Sequence, residues 1–245
     1  MTAKSILDRS GLSTDHVDTI EHFEADYNAV DQFLRKMLGV DKQASFSYLV
    51  KEYSRKHTGW PDAGVLLTIA DVRNAIVHGK TEAYCYVAVP TPPLVQKLRV
   101  CRDRLMHPAR VIPTFQRKVE AVSNHDTLAR VLKIIAQRKY SQFPVYESER
   151  FRGLLTENGI TRWLANHVAN KLSLVELADV PVKEVLENEE KRKNYQFVAR
   201  EFRVDDVRAL FAGHELLEAV LVTASGKDSE SLLGIATRWD TTSLT

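Results

Sequence analysis

An arginine and a histidine stand five positions apart in a segment whose side chains could bind negative charge and move a proton. Arg73 is followed directly by Asn74, and His78 closes the segment before Gly79. A histidine titrates near neutral pH, and an arginine stabilises charge that develops on phosphate oxygens. The amide of Asn74 would orient a phosphate or the histidine. These three residues are the candidate catalytic set.

The spacing by itself is weak evidence, because three Arg-x4-His pairs occur in the chain. They are Arg73/His78, Arg102/His107 and Arg162/His167. The second pair runs into Pro108, where the pattern of the sequence changes, and the third lies beyond that change. The first pair alone lies late on a predicted helix that a glycine ends. Context therefore favours the first pair.

Helical periodicity places this pair relative to its own core. The apolar stripe of the helix consists of Val65, Leu66, Ile69, Val72 and Ile76. At 100° per residue, Asn74 and His78 share a face roughly opposite the stripe, with Arg73 on the flank. We therefore expect these groups to point away from their own core. In a two-fold symmetric dimer they would line a shared basic cleft.

The segment Asp71–Gly79 resembles the R-x(4–6)-H motif of the HEPN family, and the resemblance covers about residues 15–107. It implies a short all-helical bundle that pairs as a homodimer. Many members are metal-independent endoribonucleases of toxin or antiviral systems, which implies RNA as the substrate, no metal ion and no catalytic cofactor. Other members only dimerise or bind partners. An unrelated bundle with a surface arginine and a histidine at a helix C-terminus is a further alternative.

A second candidate set occurs twice, where short β-like runs alternate with helices. The later copy reads GIATRWD and ends at Asp240, and the earlier copy reads GLLTENG and ends at Gly159. The motifs are 81 positions apart, and the helix starts at Asp126 and Asp205 are 79 apart. Two anchors at nearly one offset predict an internal duplication. Two chance α/β stretches are the alternative.

This order of strand, helix and motif resembles a cystathionine-β-synthase (CBS) domain. The duplication resembles a CBS pair, or Bateman module, over about residues 108–245. In that family the pair encloses a cleft that commonly binds adenine nucleotides as a regulatory sensor. The resemblance therefore implies ATP, ADP or AMP as a regulatory ligand. A CBS pair that binds nothing and only dimerises is the alternative, because a fold alone does not define a function.

The resemblance also implies individual roles. The family motif G-h-h-[ST]-x-x-D holds the ribose and nearby phosphate, roles that fall to Thr237 and Asp240; a carboxylate suits the ribose hydroxyls. The first copy keeps Thr156 but has Gly159 where the acid belongs, so we expect one good site and one weak or empty site. The opposite copy supplies the base pocket, here Val119, Glu120, Ser141, Gln142, Phe143 and Pro144. The expected phosphate contacts are Arg117, Lys118 and Arg238.

Four amphipathic stripes precede this half and predict a helical bundle. The predicted fold class is α + α/β, with an all-helical HEPN-like domain over residues 1–107 and a tandem CBS pair of β-α-β-β-α repeats over 108–245. The first copy covers about 108–170 and the second about 180–245. The segment Tyr84–Val89 is either a short strand or an extended connector.

Composition narrows the classes of protein. The 245 residues are 44% hydrophobic and 27% charged, as in soluble globular proteins, and the net charge of +2 disfavours indiscriminate nucleic-acid binding. Two cysteines, Cys85 and Cys101, cannot form a disulfide framework. No apolar run is long enough to span a membrane, and charges interrupt the N-terminal segment where a signal peptide is apolar. We therefore expect a cytoplasmic protein without a membrane partner.

Together these patterns predict a homodimeric endoribonuclease whose activity is set by an adenine nucleotide in the CBS cleft. The ligand would bias the placement of the two helical bundles, with activation and inhibition both open. The alternative is a non-catalytic nucleotide-sensing regulator whose helical domain mediates dimerisation or partner binding.

Overall fold

The computed structural model describes residues 14–41, 43–57, 59–78, 88–168, 179–187 and 193–243, apart from the side chains of Thr14, Val77, His78 and Val168. The chain divides into two compact units, Met1–Ala109 and Arg110–Thr245. Within those ranges, no helix is both long and apolar enough to cross a bilayer. Of the segment Tyr84–Val89, only the last two residues are described, and neither lies in a strand.

In its described part, the N-terminal unit is built from helices that share one core. They are α1 (Thr14–Leu38), α2 (Phe46–Lys56), α3 (Ala63–His78) and α4 (Pro92–Met106). The first helix packs against α2 and α4, and α3 packs against the same two. All four helices contribute to the core. Its fully buried side chains include Phe23, Leu34, Leu49, Leu66 and Leu98.

Local sequence determines where these helices begin and end. Ser45 caps α2, because its Oγ accepts a hydrogen bond from the Tyr48 N–H at 3.2 Å. Gly39 ends α1 with a φ of 67°, a left-handed conformation that glycine adopts without a Cβ clash. Pro92 occupies the first turn of α4, where its missing N–H removes no helical hydrogen bond.

The C-terminal unit contains two three-stranded sheets with the same order and directions. After the helical turn α5 (Val111–Thr114), the first repeat comprises β1 (Val122–Ser123), α6 (Leu128–Arg138), β2 (Gln142–Glu147), β3 (Arg150–Thr156) and α7 (Glu157–Val168). After α8 (Val182–Glu187), the second comprises β4 (Tyr195–Ala199), α9 (Val204–Gly213), β5 (Ala219–Thr223), β6 (Gly234–Thr237) and α10 (Arg238–Thr242). The first two strands of each sheet are parallel and the last is antiparallel. The sequence duplication thus corresponds to one repeated β-α-β-β-α unit.

The two repeats share a hydrophobic core. Leu154 of β3 is buried with Leu221 and Ile235 of the second repeat. A polar contact crosses the same boundary, since the Asn194 side-chain amide donates to the Leu154 carbonyl at 3.2 Å. Burial of these groups ties the repeats into one body, because separating them would expose apolar surface and leave a buried carbonyl unpaired.

Two of the β-like runs in the sequence, residues 119–122 and 153–156, differ in extent from the strands. The first strand covers only Val122–Ser123, because Val119 and Glu120 leave the sheet and line a cleft instead. Strand β3 begins at Arg150, before Gly153, because Ser148 and Glu149 form a tight hairpin turn. Both have positive φ, 46° and 67°, as such turns require, although neither is the usual Asn or Gly.

Substitution of Gly234 tests the close packing of β6 against the backbone of residues 115 and 116. A Cβ at this position would overlap the Phe115 carbonyl oxygen and lie 3.3 Å from the Gln116 Cα. Both obstacles are backbone atoms, so Gly234→Ala should lower the free energy of unfolding by about 1–3 kcal/mol, the usual cost of overpacking. Gly213→Ala is the matched control, since no described atom beyond its own helix and neighbours lies within 4 Å of its Cβ position. Equal denaturant midpoints for the two variants would contradict the packing described here.

Candidate functional site

Thr237 and Asp240 meet where β6 passes into α10. One carboxylate oxygen of Asp240, Oδ2, accepts from the backbone N–H and from the hydroxyl of Thr237, both at 2.7 Å. An acid at the third helical position that bonds back to the capping residue is a capping box. The spacing of the GIATRWD motif is thus a local structural requirement that also fixes the orientation of the carboxylate.

Arg117 completes the surroundings of this carboxylate from the other end of the unit. Its Nη1 donates to Asp240 Oδ1 at 3.1 Å and its Nη2 to Oδ2 at 2.6 Å, across 123 positions of sequence. This is the bidentate geometry that matches a guanidinium to a carboxylate. The backbone nearby is also anchored, because Gln116 forms a β-bridge with Gly234. The pair joins the segment before the first repeat to the last helix of the second.

The ionisation of Asp240 reflects these contacts. Burial would raise the pKa of this carboxyl, but hydrogen bonds from Arg117 and Thr237 outweigh burial, so the pKa lies below its ordinary value. The Asp240 carboxyl is therefore an anion at neutral pH, and both of its oxygens act only as hydrogen-bond acceptors.

The cleft around this anion has a volume of about 480 Å³. Eight residues predicted from the sequence line it, namely Arg117, Lys118, Val119, Glu120, Ser141, Gln142, Thr237 and Asp240. Four further residues line it as well, namely Lys139, Tyr140, Ile235 and Trp239. Trp239 is 85% exposed at the rim. The cleft thus joins cationic, apolar and acceptor groups from both repeats.

Arg238 does not line this cleft, contrary to its expected phosphate contact. Its guanidinium donates to the carbonyls of Phe211 and His214 at 2.6 and 3.2 Å and lies 5.4 Å from the Phe211 ring centre. The last carbonyls of a helix lack partners within the helix, and a cation there is favourable. Arg238 therefore stabilises the C-terminal end of α9.

Three other predicted residues are buried away from the cleft. Phe143 and Pro144 are buried within β2, so they support the sheet rather than a base. Thr156 is fully buried, and its hydroxyl accepts from the Gly159 N–H at 3.0 Å. It caps α7 as Thr237 caps α10, but position 159 offers no carboxylate. A polar cleft nearby, also about 480 Å³, includes Asn158 and Arg162 among its lining residues.

A separate pocket of about 350 Å³ lies among α1, α2 and α3. Arg73 and Asn74 line it together with Tyr27, Asn28, Asp31, Arg35, Ala44, Ser45, Phe46, Ser47 and Ala70. The Arg73 guanidinium lies 5.3 Å from the Tyr27 ring centre, so this side chain lies against its own bundle rather than pointing away from it. Among the described residues, its buried Nε has no hydrogen-bond partner.

The third member of this predicted set is only partly visible. His78 is the last residue of α3, and its side chain lies outside the described atoms.

Burial raises the pKa of Tyr27 to about 12 despite the nearby Arg73. Tyr27 thus stays neutral and offers its ring to the guanidinium. Arg35 is already engaged, since it bonds Asp31 at 2.7 and 3.0 Å.

The other two Arg-x4-His pairs are occupied by structural contacts. Arg102 forms an ion pair with the buried Asp26. His167 stacks on Trp163 at 4.0 Å between ring centres and hydrogen-bonds the carbonyl of the same residue. Arg162 of the third pair lies in the C-terminal unit, where its Nη2 is 3.9 Å from Glu218 Oε1.

The pH dependence of stability tests the Asp240 contacts. The pKa of the Asp240 carboxyl is lower in the folded state than in the unfolded state, where it is about 4. The ionised carboxylate therefore stabilises the fold fully above about pH 4, and this stabilisation is lost as the pH falls through the folded-state pKa. Asp240→Asn should therefore lower the denaturant midpoint at pH 7, and the difference from wild type should shrink below about pH 4. Asp228→Asn, at an exposed position, should show neither effect. A difference that does not vary with pH would contradict an ionic origin.

Comparisons with known proteins bear on this unit. Residues 112–166 match the family model described as CBS domain. A conserved CBS domain protein of unknown function from Thermoplasma acidophilum is 23% identical, with a TM-score of 0.44 over 56% of this chain and 70% of that one. A CBS domain-containing protein of unknown function from Kribbella flavida is 17% identical, with a TM-score of 0.41 over 53% and 92%.

The CBS domain pair of protein MJ0100, in complex with 5′-methylthioadenosine and S-adenosyl-L-methionine, is 15% identical, with a TM-score of 0.42 over 56% and 95%. A comparison with curated proteins finds no match. The C-terminal part of the chain has a CBS-like fold, within which residues 112–166 match the CBS domain.

Proposed function

We propose that the cleft at Asp240 binds an adenine nucleotide and that the C-terminal unit is a nucleotide-sensing regulatory module. The observation that carries this proposal is the convergence of Thr237 and Asp240 with Val119, Glu120, Ser141 and Gln142 in one cleft. An oriented carboxylate accepts from both ribose hydroxyls, as acids do in dinucleotide-binding folds. Its volume of about 480 Å³ lies within the range of small-molecule sites.

The remaining lining residues divide by chemistry. Arg117, Lys118 and Lys139 supply positive charge for phosphate oxygens. Val119 and Ile235 supply apolar surface for a purine, and Ser141 and Gln142 supply polar groups at its edge. One ligand bridging these surfaces would touch both repeats, which is how its binding would stabilise their arrangement.

The first copy of the motif supports a weaker site. Gly159 replaces the acid, and Thr156 uses its hydroxyl on the helix it caps. A ribose there would meet no carboxylate at position 159 and no exposed hydroxyl from Thr156. We therefore expect one strong site per chain.

Calorimetric titration with ATP, ADP and AMP tests this proposal. Wild type should bind at least one of the three, and Asp240→Ala should weaken binding at least about tenfold, since hydrogen bonds to a charged group are lost. Thr237→Val keeps the carboxylate and should weaken binding less. Asp228→Ala should bind as wild type does, and circular dichroism would show that each variant is folded.

A wild-type protein that binds none of the three nucleotides would overturn the sensor proposal. The C-terminal unit would then be a CBS pair that serves dimerisation alone.

We further propose that the N-terminal unit is a metal-independent endoribonuclease of a homodimer, with Arg73, Asn74 and His78 at its site. The observation in favour is the buried Nε of Arg73, which has no hydrogen-bond partner within the described part of the chain and lies at a polar pocket that Asn74 also lines. Such a group gains most from an anionic ligand, because it has already lost its water. The N-terminus of α2 lines the same pocket through Ser45, Phe46 and Ser47 and favours negative charge.

The reaction is an internal transesterification of RNA. The ribose 2′-OH attacks the adjacent phosphorus, and His78 of one protomer takes the hydroxyl proton. The 5′-oxygen leaves with a proton from the same histidine of the other protomer. Arg73 stabilises the charge on the non-bridging oxygens, and Asn74 orients the phosphate. The products are a 2′,3′-cyclic phosphate and a 5′-hydroxyl. A nucleotide in the CBS cleft would regulate this step.

Incubation with total RNA in EDTA tests the enzyme. Arg73→Ala and His78→Ala should each slow cleavage at least about a hundredfold, the usual contribution of such groups. His107→Ala is the matched control, because His107 has the same spacing from an arginine and is exposed. Each reaction is run with and without AMP and ATP.

Two results would contradict the enzyme. Cleavage that neither substitution slows would place the activity elsewhere. No cleavage under any condition would favour the alternative, a non-catalytic regulator whose helical unit mediates dimerisation or partner binding.

A further inference from the structure

The ion pair between Arg117 and Asp240 occupies the place where a ribose would bind. Oδ2 of Asp240 already has three donors, namely Arg117 Nη2 and the N–H and hydroxyl of Thr237. Oδ1 has Arg117 Nη1. A carboxylate offers about four acceptor positions, so a ribose diol cannot bond both oxygens while Arg117 stays in place.

The two sets of donors differ in how easily they can move. The Thr237 bonds are local to the start of α10 and hold the helix. Arg117 reaches the carboxylate through a long side chain that is 43% exposed, from a backbone anchored next to it at Gln116. The guanidinium can therefore swing within the cleft while its backbone stays fixed.

Displacing Arg117 has a cost that depends on the ligand. A ligand without negative charge separates the ion pair and gives the guanidinium nothing in return. A ligand with a phosphate offers a second pair of anionic oxygens, which the planar guanidinium binds bidentately. The other cations of the cleft, Lys118 and Lys139, are exposed ammonium groups that lack this fork geometry.

We propose that Arg117 is the specificity-determining residue of the cleft, exchanging Asp240 for a ligand phosphate so that phosphorylated adenosine compounds bind and unphosphorylated ones do not. This inference rests on the nucleotide function proposed for the same cleft. It separates AMP, ADP and ATP from adenosine and from adenosine thioethers, which share the base and ribose but carry no phosphate.

Removal of the arginine should change the two ligand classes in opposite directions. In Arg117→Gln, adenosine no longer competes with an ion pair for Asp240, so its affinity should rise by up to about fivefold, the worth of an exposed pair. The affinity for AMP should fall at least about tenfold, because a charge-assisted contact is lost. Calorimetry on wild type and variant with adenosine, 5′-methylthioadenosine and AMP measures all three.

Two further variants make the result specific. Arg117→Lys keeps the charge without the fork and should fall between wild type and Arg117→Gln for AMP. Arg130→Gln is the matched control, because Arg130 also pairs with a carboxylate, Asp126 at 2.7 Å, but does not line the cleft. Its ligand affinities should equal those of wild type.

The outcomes separate this inference from the function beneath it. Wild type that binds AMP, with both ligand classes weakened in Arg117→Gln, would overturn the exchange and keep the nucleotide site. Wild type that binds adenosine as tightly as AMP would do the same. No binding of any ligand to wild type or variant would overturn the nucleotide site and the exchange with it.

Discussion

The close approach of two backbone segments at Gly234 is the constraint on which the candidate site depends. Residues 115 and 116 lie against the start of β6 so tightly that a methyl group would overlap a carbonyl oxygen. This contact fixes the chain just before Arg117, and β6 carries the chain to Asp240. The bidentate ion pair is thus held from both sides by the backbone. The cleft is formed around that closure, because its lining comes from the same two segments and the turn before β2.

Much of the fold follows from short-range patterns. The helices follow from apolar periodicity, and the repeat follows from two motifs at one offset, because both signals lie within a few turns or strands. Thr237 and Asp240 were assigned through the family motif, and that signal is equally local, because a capping box fixes their spacing and the orientation of the carboxylate. The edges of strands were less predictable. The turn at Ser148 and Glu149 could not be predicted, because neither residue type prefers positive φ. The pairing of β2 with β3 forces both residues into that conformation.

Contacts distant in sequence account for the rest. The pairing of Arg117 with Asp240 links positions 123 apart, and no local pattern relates them. Arg238 fits a phosphate role by proximity to the motif, yet the unpaired carbonyls at the end of α9 lie nearer and take its guanidinium. Helical geometry predicts that Arg73 points away from its bundle, yet its guanidinium lies against the ring of Tyr27 on α1. Long cationic side chains go where partners are, and partners are set by the tertiary fold.

The exposure of Trp239 gives the protein an optical property of its own. Of its three tryptophans, Trp60 and Trp163 are 6% and 2% exposed, whereas Trp239 is 85% exposed at the rim of the cleft. An indole in water emits at longer wavelength than one in an apolar core and is open to dissolved quenchers. The red edge of the emission therefore reports on a single residue beside Asp240. The unmodified chain carries its own fluorescent probe at the mouth of the cleft.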